Sequence, residues 1–210
     1  MKNSLVFEYR EKSGKRKMRS VIPEKELHFS DLDGYSFSAL EDGVLKEFEM
    51  NRIERFCEPF KNQSFFSSTT YIVDKDFNFF LMLHKKLGKF VPPGGKIDND
   101  ELPAEGAVRE VFEETGLHVN LISSAYNQVL EEVQPFGIQN NIIQKNIRTH
   151  VDLIYLGIAE NKDELKIDFS EAQEYGWFNV EKVKSLDTFD LVKKWCLYFY
   201  DFLKNYEKTN

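Results

Sequence analysis

The sequence predicts an α+β protein: an α/β/α sandwich with a mixed sheet and flanking helices, preceded by a small β-rich segment. Short alternating apolar runs separated by turn residues indicate strands. Pro103–Thr115 has a proline at its start and Gly116 just past its end, which predicts a helix. A second helix is predicted over residues 188–204, whose apolar side chains recur at helical spacing and pack on the sheet: Leu191, Trp195, Tyr198, Phe199 and Phe202.

The composition limits the classes of protein. The 210 residues are 41% hydrophobic and carry a net charge of −7, which disfavours nucleic acid as a partner. We find no apolar signal region and no apolar run long enough to span a membrane, so we expect a cytoplasmic protein. Cys57 and Cys196 have no paired metal or redox spacing, which favours two separate thiols in a reducing compartment.

Residues 1–60 are predicted to form a small β-rich segment. The predicted strands pair as two hairpins, the second around the turn Glu41-Asp42-Gly43: Ser4–Tyr9, Met18–Ile22, Gly34–Leu40 and Leu45–Met50. Pro23 is expected to stop the second strand. The basic run Lys12–Arg19 is interpreted as a solvated hairpin tip, with phosphate contact as the alternative.

Residues 65–207 are predicted to form the main domain. Its expected strands are separated by turn signals and surround the Pro103–Thr115 helix: Thr69–Val73, Phe77–Leu83, Lys89–Val91, Val119–Leu130, Thr149–Ile158 and Tyr175–Asn179.

Three glutamates of the first helix carry the chemistry. Glu110, Glu113 and Glu114 are spaced i, i+3 and i+4, so their carboxylates project from one helix face. Like charges this close destabilise a helix unless a cation neutralises them. With oxygen donors and no His or Cys in the cluster, Mg²⁺ or Mn²⁺ is indicated rather than zinc.

Residues around the cluster can hold it in place. Arg109 could pair with Glu101 near the helix start and tie the preceding loop to the helix. Gly94 and Gly95 allow close approach of the backbone, so a carbonyl there could be a further metal ligand.

The segment from Gly95 to Leu117 resembles the Nudix box. Every specified position of that motif is matched: Gly95, Glu101, Arg109, Glu110, Val111, Glu113, Glu114, Gly116 and Leu117. Weaker features extend the resemblance over the whole main domain, among them Pro92–Gly95 before the box and Glu171–Phe178 after it.

The resemblance implies a Mg²⁺-dependent pyrophosphohydrolase. Glu110, Glu113, Glu114 and Gly95 would hold the metal, while a nearby carboxylate deprotonates the water that attacks phosphorus. Glu113 is the first choice for the catalytic carboxylate, with Arg109 and Glu101 beside it in the catalytic set. The downstream alternatives, each also explained as a surface acid, are Glu131, Glu132, Glu171 and Glu174.

The resemblance also suggests substrate contacts. His150 and Asp152 share one face of a strand that borders the substrate cleft in similar proteins, and Glu174 is a further candidate. A structural His150 is an equal alternative. Trp177 and Phe178 could stack on a base, although core packing is favoured for at least one of them.

The N-terminal segment is weakly similar to the WYL domain. The similarity rests on the opening strand, the step from Arg19 to Pro23, the short aromatic strand Gly34–Leu40, and the closing stretch that contains Arg52. Gly34-Tyr35-Ser36 stands where the Trp-Tyr-Leu triplet would fall, which puts a ligand-sensing role in doubt. The alternative is a β-extension that caps the sheet or forms a dimer interface.

The function expected from the box is cleavage of a pyrophosphate linkage in a small-molecule nucleotide: a nucleoside triphosphate, a nucleotide sugar or ADP-ribose. The alternative is a nucleotide-sensing regulator that uses the same fold for ligand binding. The box itself does not specify the group attached to the diphosphate. A homodimer is left open.

Overall fold

The computed structural model describes residues 5–23, 36–49, 53–56, 66–98, 101–123, 133–144 and 148–206. Strands β1 to β13 are, in order, Leu5–Arg10, Arg16–Pro23, Ser36–Glu41, Val44–Glu49, Ile53–Phe56, Phe66–Val73, Phe79–His84, Lys89–Val91, Gly94–Lys96, Val119–Ile122, Gly137–Gln144, Arg148–Ala159 and Ala172–Phe178. The α-helices are α1 (Pro103–Thr115), α2 (Val180–Ser185) and α3 (Asp190–Tyr206). Within these ranges, no helix is both long enough and apolar enough to cross a membrane.

The chain divides into two compact units. The first comprises Met1–Thr69, Gly95–Ala107 and Ile122–Tyr155, and the second comprises Thr70–Gly94, Val108–Leu121 and Leu156–Asn210. The domain bounds 1–60 and 65–207 stay predictions.

The first unit contains a five-stranded sheet with the order β4-β3-β2-β1-β5. The predicted turn between β3 and β4 is confirmed, because Asp42 and Gly43 both have positive φ, as a two-residue type I′ hairpin requires. On this sheet, Phe7, Tyr9 and Phe48 pack edge to face with ring centroids 5.5–6.1 Å apart. The β-rich character predicted for this segment is therefore confirmed.

An ion-pair network lies on the same sheet. Arg19 donates to both carboxylate oxygens of Glu41, at 3.1 and 3.0 Å, and to Glu11 at 2.6 Å. Lys46 donates to Glu41 at 2.6 Å, and Lys17 pairs with Glu11 at 2.7 Å. Arg19 is thus held by carboxylates of the sheet itself. Tyr35 and Arg52 lie outside the described residues, and the WYL similarity stays a prediction.

The second sheet has eight strands and the order β10-β12-β6-β7-β13, with β11 on β12, β8 on β7 and β9 on β6. Neighbouring residues of β6 show its two faces. Ile72 belongs to a buried cluster with Val111 of α1 and Leu117, whereas Tyr71 packs against Trp195 and Phe199 of α3. The two helices therefore cover opposite faces of β6, and the predicted sandwich is confirmed.

Local sequence explains where α1 begins and ends. The Glu105 carboxylate accepts the backbone N–H of Leu102 at 2.8 Å, which satisfies a donor at the helix start. At the other end, Gly116 has φ +70°, and a Cβ there would lie 2.9 Å from Cβ of Lys166. Only glycine fits this position without displacing the segment that crosses it.

Several predicted elements are corrected. The strand expected over Val119–Leu130 ends at Ile122, while residues 124–130 of that prediction lie outside the described residues. Strand β2 runs through Pro23 instead of stopping before it. Strands β9 and β11 were not predicted. Cys196 is a buried free thiol whose pKa is raised by that burial, while Cys57 lies outside the described residues.

Candidate active site

The three glutamates of the box differ in their surroundings on α1. Glu110 is partly buried and accepts a hydrogen bond from Nη1 of Arg109 at 2.9 Å. The same nitrogen donates to Glu113 at 3.1 Å, and the Glu113 side chain is 58% exposed. Arg109 thus bridges two of the carboxylates and lowers their mutual repulsion.

Glu114 is the most perturbed of the three. Burial raises the pKa of its carboxyl to about 8, although Oε2 accepts the backbone N–H of Gly94 at 3.2 Å, which opposes the shift. The negative charges of Glu110, Glu171 and Asp168 raise the pKa further. A buried carboxyl on which three other carboxylates act electrostatically favours either a proton or a cation.

The loop between β12 and β13 brings two of those carboxylates to α1. The backbone N–H of Lys166 donates to the carbonyl of Thr115 at 2.7 Å, and that of Asp168 donates to the carbonyl of Glu114 at 2.9 Å. These bonds use carbonyls at the helix end that have no partner within the helix. They place residues 168–171 beside the acidic face of α1.

Asp168 was missed by sequence reasoning, whereas Glu171 was among its downstream candidates. Two hydrogen bonds from Ser170, through the backbone N–H at 2.7 Å and the hydroxyl at 2.8 Å, hold the pKa of Asp168 below its usual range. The Asp-Phe-Ser sequence could have indicated this turn, because an aspartate side chain often accepts the backbone N–H of the second residue after it.

The acidic face of α1 fits a hard divalent cation. Among the described residues, no three His, Cys, Asp or Glu side chains converge closely enough to form a preformed metal centre. The donors are nevertheless oxygen atoms, and a bound cation would offset the burial and the neighbouring negative charges that raise the pKa of Glu114. Gly95 lies on β9, next to the residue that donates to Glu114.

Glu101 stabilises the approach to α1. Its Oε2 accepts the backbone N–H of Asp98 at 2.9 Å and lies 3.0 Å from where a Cβ on Gly106 would be. A side chain at residue 106 would therefore press on this carboxylate. The pairing of Glu101 with Arg109 stays a prediction.

The predicted substrate residues fall in different places. Asp152 is only 3% exposed and accepts hydrogen bonds from Ser67 at 3.0 Å, Thr69 at 2.8 Å and Gln139 at 3.3 Å. It lies in the first unit, whereas Glu114 lies in the second. The His150 side chain, like Glu131 and Glu132, is outside what the structure describes.

The aromatic side chains Trp177 and Phe178 of β13 pack against rings of neighbouring strands. Trp177 packs against Phe80 with centroids 5.4 Å apart, and Phe178 packs against Phe90 at 5.3 Å. Both contacts are structural, which supports the core-packing alternative. The more exposed rings are Phe169 and Tyr175, 57% and 40% exposed and 6.2 Å apart, and sequence reasoning did not single them out. Glu174, which precedes Tyr175 in β13, is exposed.

Comparisons with known proteins agree with this geometry. A family model described as NUDIX domain matches residues 68–198, more than half of the chain. A NUDIX-family hydrolase from Clostridium perfringens is 26% identical with a TM-score of 0.59, over 67% of this chain and 99% of that one. No curated protein matches the chain.

Two more distant structures share the fold. A C. elegans Ap4A hydrolase is 16% identical with a TM-score of 0.54, covering 67% of this chain and 98% of its own. The E. coli dihydroneopterin triphosphate pyrophosphohydrolase is 13% identical with a TM-score of 0.51, covering 64% and 93%. The intact box on α1, the family match and the likeness in fold lead to one conclusion: the chain belongs to the Nudix family and is a Nudix-type pyrophosphohydrolase.

Proposed function

We propose that this protein hydrolyses a pyrophosphate linkage in a nucleoside diphosphate derivative and that it depends on Mg²⁺, with Mn²⁺ as a substitute. The observation that carries the proposal is Glu114 of the box helix, a carboxyl whose pKa is raised to about 8 by burial and by the charges of three other carboxylates. Mg²⁺ binding would relieve the electrostatic cost of ionising it.

The proposed ligands are the carboxylates of Glu110, Glu113 and Glu114 with the carbonyl of Gly95. A bound Mg²⁺ would supply positive charge to offset that of the phosphates and of the leaving group. The chain's own part is to position these donors. Arg109 fixes Glu110 and Glu113 through one nitrogen, and Glu101 braces the loop before α1.

In the proposed reaction, water attacks one phosphorus, and the bond from that phosphorus to the bridging oxygen breaks. A carboxylate must accept the proton of the water. The sequence favours Glu113 for this role, and Glu171 is the downstream glutamate whose charge acts on Glu114. Asp152, His150 and Glu174 stay proposed substrate contacts.

The substrate class is proposed from family membership and from the related structures. Nucleoside triphosphates, nucleotide sugars and ADP-ribose are the candidates. Ap4A and dihydroneopterin triphosphate join them, because the enzymes named for these compounds share the fold. Because such compounds belong to the cytoplasmic nucleotide pool, we propose that the protein acts there on a small-molecule substrate.

The test is product release from this panel, followed by phosphate detection and chromatography, with Mg²⁺ and with EDTA. We expect Mg²⁺-dependent cleavage of one class of compound. Binding of one compound without cleavage of any would instead favour the nucleotide-sensing alternative.

A further inference from the structure

His84 occupies a defined position at the end of β7, opposite Ala172 in the register with β13. Its Nδ1 accepts the backbone N–H of Lys86 at 3.1 Å. An acceptor nitrogen carries no proton, so the ring proton of the neutral imidazole resides on Nε2. The local backbone therefore fixes both the orientation and the tautomer of this ring.

The protonated nitrogen lies beside Glu171. Nε2 is 3.5 Å from Oε2 of Glu171, slightly longer than an ordinary N–H···O hydrogen bond. Contacts of this kind are often long in the absence of substrate and shorten in its complex. The carbonyl of Glu171 also accepts the backbone N–H of Lys85 at 2.8 Å, so the end of β7 contacts both the backbone and the side chain of Glu171.

A neighbouring contact strengthens this arrangement. The Lys85 ammonium donates to the carbonyl of Phe169, two residues before Glu171. His84 and Lys85 thus hold the 168–171 loop, while Lys166 and Asp168 fasten the same loop to α1. Glu171 is thereby supported from β7 and from the box helix.

We propose that His84 is a positioning residue that directs the Glu171 carboxylate toward the attacking water, and that Glu171 accepts the proton of that water. This rests on the proposed hydrolase function. In the step, the water oxygen bonds to phosphorus, the bridging P–O bond breaks with its electrons on the leaving phosphate, and the proton moves to Glu171. His84 keeps its Nε2 proton throughout, and Glu171 is the one reacting group that it contacts.

The surroundings of Glu113 support this division of roles. Glu113 is largely exposed and shares a hydrogen-bond donor with Glu110, as suits a group that completes a cation site. Glu171 is instead held by the His84 ring and by the backbone N–H of Lys85, at the end of a strand that has no acidic side chain.

The test compares kcat and KM of H84A, H84Q and E171Q on the best substrate of the panel, with H118A as a matched control. His118 is exposed, packs on Phe112 and is not part of this loop contact. We expect H84A to lower kcat about 10-fold and E171Q about 100-fold, with KM within about twofold. H84Q should recover most of kcat, because glutamine retains an N–H donor at the same reach.

A double variant and a tautomer measurement complete the design. H84A/E171Q should be no slower than E171Q alone, because His84 acts only through Glu171. In the Mg²⁺-free protein, ¹⁵N shifts should report the Nε2–H form of His84.

The possible failures are distinguishable. An active wild type whose H84A variant keeps full kcat, or an Nδ1–H tautomer, overturns this inference alone. A wild type that cleaves no compound of the panel overturns it together with the proposed function.

Discussion

Replacing Glu114 by glutamine should stabilise the Mg²⁺-free protein and abolish the stabilisation that Mg²⁺ provides. In the folded protein the pKa of Glu114 is raised from 4.5 to about 8, by burial first and by neighbouring carboxylates second. The folded state therefore holds a proton that the unfolded chain has released, across the interval between those two pH values. The contribution of this group to stability is complete below pH 4.5 and is lost as the pH rises to about 8.

The magnitude follows from the width of that interval. Each pH unit across it is worth about 1.4 kcal/mol, so the ionised carboxyl costs about 4–5 kcal/mol at pH 8 and above. Glutamine removes the charge and keeps an oxygen that can accept the Gly94 N–H. Its new amide N–H group, however, costs about 1–3 kcal/mol if it lacks a partner. We therefore expect E114Q to be more stable than the wild type by about 2 kcal/mol at pH 8.5 in EDTA, a rise of about 4–8 °C in Tm.

The assay is thermal unfolding at pH 4.5, 6.5 and 8.5, with EDTA and with Mg²⁺, on the wild type and E114Q. The control is E181Q, which changes an exposed glutamate on α2 that pairs only with nearby Lys184 in the described contacts. The advantage of E114Q in EDTA should grow with pH, whereas Mg²⁺ should stabilise only the wild type and E181Q. An E114Q protein that is equally stable at every pH, or that still gains from Mg²⁺, would refute the reasoning.

Three further changes test other parts of the molecule. E113Q should retain the wild-type Tm but lower turnover at least ~10²-fold, since it removes one charge-stabilising group; normal turnover in a steady-state assay would show that the residue has no such role. G116A should lower both Tm and kcat, because its Cβ would meet Lys166 at 2.9 Å and displace the loop anchored there; an unchanged kcat would show that the loop between β12 and β13 has no part in catalysis. Asp74 is buried, which raises the pKa of its carboxyl, but hydrogen bonds from Asn78, Lys162 and Asp76 outweigh that effect and hold the pKa below the usual value. D74N should therefore cost about 2–3 kcal/mol in a urea titration at pH 7, with the difference shrinking as the pH falls through the low pKa of Asp74; an equal cost at pH 2 would contradict this.

What could be predicted from sequence was local in origin. The helix α1 has the predicted bounds Pro103–Thr115, because its stop depends on the nearby Gly116. The hairpin turn at Asp42-Gly43 was equally readable, since only a few residue types adopt positive φ in succession. That the box glutamates lie on one face of α1 could be predicted from their helical spacing alone.

The missed features depend on long-range pairing. His84 meets Glu171 because β7 and β13 pair in one particular register, which no local pattern specifies. Asp168 reaches α1 through one backbone hydrogen bond to Glu114, 54 positions earlier in the chain (168 minus 114), so its own sequence suggested only a turn. Strand β9 is three residues long and glycine-rich, and its pairing with β6 could not be predicted from propensity.

The most direct test of the central claim is hydrolysis of the best panel substrate in ¹⁸O-labelled water, with mass analysis of the phosphate products. We expect one product to gain a single label on phosphorus, in the presence of Mg²⁺ and not in EDTA, and we expect E114Q to form almost no labelled product. Cleavage that leaves both phosphorus-containing products unlabelled, or that proceeds equally in EDTA and in E114Q, would contradict it.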